Sequence, residues 1–164
     1  MLKVIYKLGD DISTDIIYPG RYMATVLPTE TPQYAFDDVK DLNSALLKRN
    51  GRDNYAIIAG KNFGCGSSRE QAASTLRGHN LTIIAKDFAR IFLQNSINLG
   101  LKTIICPNIE GEAGDELEVT PTKVINVTKG KEFDIIPLPE ARRAIVDAGG
   151  LIAYTQKRLM EMAG

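Results

Sequence analysis

Two adjacent hydroxyls, Ser67 and Ser68, run directly into Arg69 in the stretch "GKNFGCGSSREQAA", which begins at Gly60. Three glycines and Cys65 precede or interleave them, Glu70 follows, and the apolar run "YAIIA" leads in. Residues of these types could cradle a phosphate, activate a serine nucleophile, present a redox thiol or open a helix. A phosphate loop of the GxxxxGK[ST] kind needs a lysine after its glycines, and Gly64-x-Gly66 lacks the last glycine of the dinucleotide fingerprint. A nucleophile elbow needs a glycine two places after its serine, which neither Ser67 nor Ser68 has. The single histidine, His79, reads as a surface loop residue rather than a triad base. Ser67-x-x-Glu70 matches a capping box, so Ser67 is expected to start a helix, a contribution of about 1 kcal/mol.

Capping alone does not call for Gly64, Gly66, a second serine and an arginine together. Small residues let a backbone approach a ligand closely, and open amides at a helix start favour an anion. Arginine in a first turn opposes the helix dipole, yet its planar fork can grip a carboxylate through two bonds. The local chemistry thus predicts a carboxylate or phosphate site at the end of the strand 55–60, with the serine hydroxyls directed into it. Cys65 and Cys106 share no CxxC spacing, and two cysteines with one histidine supply neither an iron–sulfur cluster nor a private zinc site. No metal ligand set is expected in this chain.

The elements that must position these residues follow from periodicity. "KVIYKL" (3–8) alternates as a strand, and a long polar, proline-marked stretch follows over 10–31, with a weak helix near 32–37. A short helix is expected around "LNSALLKR", ended by "NGRDN". Strands are expected over 55–60, 81–85 and 101–106. Helices are expected between them, one ending near Arg77 with Gly78 as its C-terminal stop, the other capped by Asp87. That alternation gives a parallel βαβαβ core. After Pro107 the pattern becomes an antiparallel meander of three strands with turns at "TPT" and "KGKE", then two helices broken at Gly149–Gly150.

The chain has 164 residues, 44% of them hydrophobic, enough for a core without disulfides, and 20 basic residues balance 20 acidic ones. That balance argues against nucleic-acid binding. Neither a signal peptide nor a membrane-length apolar run is present, so a cytoplasmic protein is expected.

Three stretches in order, "GDDISTDIIYPGRYM", "GKNFGCGSSREQA" and "IIAKDFARIFLQNSINLGL", closely resemble the aconitase-type swivelling-domain family, which includes the small subunits of 3-isopropylmalate dehydratase and of homoaconitase. The resemblance is most specific over 3–106 and looser to the end. It implies an α/β fold over 1–164, a single three-layer β/β/α domain that docks on a large subunit. That partner carries a [4Fe–4S] cluster, and this chain contributes no metal ligand. Ser67 matches the family's proton-abstracting serine, Ser68 and Arg69 the residues that hold the substrate carboxylate, and Asp15 an active-site aspartate that orients cations. Arg21, Tyr22, Met23, Ala24 and Thr25 match the loop that sets substrate preference, with Cys65 a small packing residue beside the site. Isopropylmalate forms carry an apolar residue at the position of Ala24, where homoaconitase-like forms carry an arginine. The resemblance therefore implies a small dicarboxylate with an alkyl branch, with homoaconitate and 2,3-dimethylmalate as alternatives. A free-standing anion-binding module is the alternative from outside the enzymes. Many members have histidine where this chain has Gln71, and a packing role is expected there.

Overall fold

The apolar runs at 55–59 and 82–85 carry no charge, which suits strands covered on both faces. The computed structural model describes residues 1–49 and 54–163. It places them as β2 (Tyr55–Ala59) and β3 (Thr82–Ala85), the two inner strands of the parallel half of a seven-stranded mixed sheet. β1 (Leu2–Lys7) and β4 (Lys102–Ile105) flank them, all four parallel; β5 (Glu116–Val119), β6 (Lys123–Asn126) and β7 (Lys131–Asp134) extend the β1 side antiparallel. The order is β4-β3-β2-β1-β5-β6-β7.

Alternation along β2 and β3 divides the core in two, because successive side chains leave opposite faces. Ile57, Ala59, Ile83 and Ala85 pack with the helical residues Leu42, Ala72, Leu76 and Phe92. Ala56, Ile58 and Ile84 pack instead with Val4, Cys106, Leu117 and Val124. The sheet therefore curls over its second face, and an antiparallel bridge between Ile105 and Ile136 brings its two ends together. Helices, parallel strands and the curled meander make the three layers that the family resemblance implies.

The helices are α1 (Thr14–Ile17), α2 (Lys40–Lys48), α3 (Glu70–Gly78), α4 (Arg90–Leu99), α5 (Glu140–Asp147) and α6 (Leu151–Ala163). The segment near 32–37 is a short 3-10 turn, Thr31–Tyr34. It fastens the far end of α3: Thr75 Oγ1 donates to the Thr31 carbonyl at 2.6 Å, and His79 Nε2 lies 2.6 Å from the Pro32 carbonyl. His79 is thus buried in the packing, not a loop residue on the surface, and burial holds its imidazole below the ordinary value. Gly78 is the last helical residue rather than the stop, and a Cβ there would lie 2.3 Å from Pro32 Cγ. The left-handed residue after α3 is Asn80, with φ 53°. The expected turn "NGRDN" falls outside the described residues except for Asn54.

Asp87 does not cap α4. The residue before that helix is Ala89, with no side-chain cap, while Asp87 accepts a hydrogen bond from the Asn62 amide and so braces the loop after β2. α4 stops at Gly100, in the left-handed region at φ 76° and packed against Gly149. That contact seats the junction of α5 and α6, which breaks at Gly149–Gly150.

Candidate active site

Past the ends of β1 and β2 the chain keeps pairing without forming regular strands. Gly64 N donates to the Ile12 carbonyl at 2.7 Å and Thr14 N to the Cys65 carbonyl at 2.8 Å. The loops 10–14 and 61–66 therefore lie side by side, locked further by Asn62 Nδ2 donating to Asp11 at 3.0 Å. Both Asp11 and Asn62 have positive φ, 55° and 60°, tolerated because short polar side chains can bond locally in that region.

Glycine is required at Gly64 for two reasons. Its φ is +85°, and a Cβ would lie 2.2 Å from Phe92 Cγ on α4. Phe92 belongs to a cluster with Phe63 and Phe88, their ring centroids 5.3–6.2 Å apart, so the loop sits on a rigid aromatic base. From there the chain turns out through Gly66, and Ser67 and Ser68 stand exposed. The backbone of Ser68 is steadied by Asn95 Nδ2, which donates to its carbonyl at 3.4 Å.

The expected capping box is not formed. α3 starts at Glu70, its N-cap is Arg69, and no side chain caps it. Ser67 lies three residues ahead of the helix, too early for its oxygen to reach the first-turn amides in the capping-box register. The helix start has no side-chain cap, and among the described residues Ser67 has no hydrogen-bonding duty that would compete with chemistry.

Arg69 is half-buried. Its Nη1 donates to Asp15 Oδ1 at 2.7 Å and to the Tyr18 carbonyl at 3.3 Å. Asp15, in α1, also accepts from the Gly20 amide at 2.9 Å. The Arg69 hydrogen bond, then the Gly20 amide, hold the Asp15 carboxyl below its usual range, so it stays charged. Arg69 Nε is buried and has no hydrogen-bond partner among the described residues. Gly20 leaves room for this fork: a Cβ there would lie 3.2 Å from Nη2. Asp15, Gly20, Ser67, Ser68 and Arg69 thus share one corner, above the C-terminal ends of β1 and β2.

The loop 21–25 lies beside that corner. Ala24 and Met23 are exposed. Arg21, however, is paired: Nη1 and Nη2 fork onto Asp38 at 3.0 and 2.6 Å, and Nη2 also reaches Asp37 at 2.6 Å. Its charge is held firmly by these carboxylates. Tyr22 donates to Asp37 at 2.8 Å and stacks on Tyr34 with centroids 3.9 Å apart. Gln71 Nε2 donates to the Met23 carbonyl at 3.2 Å, which gives this residue a definite task. Tyr18, Gly20 and Asp37 carry weight here that periodicity did not single out; the "YPG" turn at 18–20 was the available signal.

Cys65 is half-buried beside the site, whereas Cys106 is buried under the curled sheet, where burial pushes its thiol up to about 11. Among the described residues no group of three His, Cys, Asp or Glu side chains could hold a metal ion. Among them, no helix is long and apolar enough to cross a membrane.

A family model, the aconitase C-terminal domain, matches residues 13–108, which include every residue of this corner. The 3-isopropylmalate dehydratase small subunit of Methanosarcina acetivorans is 43% identical over 160 residues, 95% of this chain and 96% of the relative. That of Methanosarcina mazei is 45% identical with the same coverage. A crystal structure of 3-isopropylmalate dehydratase from Methanocaldococcus jannaschii superposes with a TM-score of 0.87 at 36% identity, covering 98% of this chain and 95% of that one. The chain belongs to the aconitase C-terminal domain family, alongside the small subunits of 3-isopropylmalate dehydratase.

Proposed function

We propose that this chain, acting as one domain over 1–164, is the cytoplasmic small subunit of a hydro-lyase that interconverts 2-isopropylmalate and 3-isopropylmalate. The observation that carries this reading is the juxtaposition of exposed Ser67 and Ser68 with an Arg69 fork pinned by Asp15. The names and coverage of the relatives support it.

The reaction removes a proton from a carbon next to a carboxylate and a hydroxyl from the neighbouring carbon. Water leaves, and readdition to the alkene in the opposite sense exchanges the two positions. Ser67 takes and returns the proton. A serine hydroxyl is a poor base in water, so it must act as an alkoxide in a closed, cation-rich site. Arg69 and the uncapped amides at the start of α3 supply that field from fixed positions, which costs no reorganisation during reaction. Ser68 and the free edge of Arg69 hold the substrate carboxylate, while Asp15 orients the guanidinium through Nη1.

This chain's residues do not fit an iron–sulfur cluster, which takes three or four thiolates. In this reading the [4Fe–4S] group belongs to the large subunit, and no step assigned to this chain passes through it. The substrate is a dicarboxylate with an alkyl branch. Arg21, the only basic residue of the loop, is tied to Asp37 and Asp38, leaving no cation there for a distal carboxylate. Burying such a carboxylate unpaired would cost several kcal/mol, which disfavours homoaconitate.

The chain alone should neither turn over isopropylmalate nor bind small malates tightly; adding a cluster-loaded large subunit should restore turnover. Tight binding by the isolated chain without such restoration would instead mark a free-standing anion-binding module.

A further inference from the structure

The loop 20–25 and the Arg69 fork share an anchor. Tyr18 is wholly buried, and its hydroxyl points at two carbonyls of the loop, Tyr22 at 2.9 Å and Thr25 at 3.2 Å. The backbone carbonyl of the same residue accepts from Arg69 Nη1 at 3.3 Å. One phenolic proton shared by carbonyls on either side of Met23–Ala24 draws both ends of that turn toward one buried ring. The ring cannot shift freely, because it packs edge-on against Tyr22 and Tyr34, with centroids 6.4 and 6.3 Å away. Gln71 holds the tip of the turn from the other side through the Met23 carbonyl, and it stands in the first turn of the helix that follows Ser67, Ser68 and Arg69.

We propose that Tyr18 and Gln71 are positioning residues for substrate choice: they hold Ala24 in fixed register with the Arg69 fork and so set the size and polarity of the branch the site accepts. This rests on Arg69 acting as the carboxylate clamp. Both tie-points are side-chain bonds to loop carbonyls, so each can be cut without altering any residue that meets substrate. A loosened loop weakens binding in ground and transition states alike, which moves KM more than kcat.

The test uses the chain reconstituted with a cluster-loaded large subunit, assayed on 2-isopropylmalate and on homoaconitate. Tyr18→Phe keeps the ring and removes the hydroxyl. It should raise KM for 2-isopropylmalate about tenfold with kcat changed less than about threefold, and should shrink the preference over homoaconitate about tenfold. Gln71→Ala should move the same quantities about threefold, and Gln71→His, which keeps an N–H donor, should recover most of the loss. In the isolated chain, Tyr18→Phe should speed hydrogen exchange at the Met23 and Thr25 amides, which bond within the loop to Gly20 and Tyr22. KM and preference unchanged in both variants, or kcat falling with KM constant, would overturn the proposal. If the wild-type pair ignores isopropylmalate, the proposed reaction fails. The exchange rates then decide the positioning role alone, unchanged rates overturning it. Should Tyr18→Phe not fold, the Gln71 pair carries the same comparison, with its own exchange rates at Met23.

Discussion

Two neighbouring segments at this site are held by opposite means. The turn Gly64–Arg69 is fixed mostly by backbone: amide bonds to loop 10–14 and a left-handed glycine against Phe92. The loop 20–25 is fixed mostly by side chains reaching its carbonyls or its own rings: Tyr18, Gln71, Asp37 and Tyr34. Backbone fixation resists sequence change because almost any Cβ at the wrong place collides. Side-chain fixation can be retuned one residue at a time. Chemistry common to a family belongs on the first kind of support, and substrate choice on the second.

The comparison can be broken most severely at Ser67. Ser67→Ala should cut turnover of the reconstituted pair by about a thousandfold or more, with folding intact, since the exposed hydroxyl has no structural partner among the described residues. Unfolding by urea should show no change in midpoint.

Gly64→Ala attacks the support instead. A positive φ and a contact at 2.2 Å that must open should together cost about 2–4 kcal/mol in denaturant unfolding, with activity lost in proportion to folded protein. A variant of the 20–25 loop such as Ala24→Ser should leave the same unfolding curve in place. Equal costs at the two positions would erase the distinction between the segments.

Arg69→Lys sharpens the account of the clamp. A lysine keeps the charge for Asp15 but loses the fork, so KM should rise about ten- to a hundredfold while kcat falls less.

The smallest effect concerns Asp15. Its carboxyl is lowered from an ordinary 3.8 by the Arg69 hydrogen bond first and the Gly20 amide second. A lowered folded value means the pairing stabilises the fold above the unfolded carboxyl's titration and loses that contribution as pH falls through the folded value. Asp15→Asn should therefore lower stability slightly at neutral pH, a small loss because Asp15 is exposed to screening solvent, and its unfolding curve should converge on that of the wild type as pH falls below about 4.

Much of this was legible in the residues. Uncharged β-rich runs marked β2 and β3, the apolar stretch 101–106 marked β4, the switch in period after Pro107 marked the meander, and paired glycines marked the break before α6. The motif at 60–71 led to the corner where Arg69 meets Asp15 beside the exposed Ser67 and Ser68. What escaped were choices settled by tertiary packing. Ser67-x-x-Glu70 fits a cap locally, yet the loop bonds to residues 12–14 carry Ser67 outward before the helix begins. Asp87 had the sequence place of a cap but was taken by the Asn62 amide. His79 and Gly78 answer to Pro32, distant in sequence, and no periodicity announces such a contact. Arg21 and Ala24 sit in one short loop, and only the positions of Asp37 and Asp38 show that the arginine is spoken for.

The central claim is that this corner completes an active site only with a second chain. Titrating this chain into a fixed amount of cluster-loaded large subunit, with 2-isopropylmalate as substrate, tests it directly. The account predicts no turnover from either chain alone, a rise to saturation at equal amounts, and no rise when the Ser67→Ala chain is titrated. Full turnover by the large subunit alone, or equal rescue by Ser67→Ala, would contradict it.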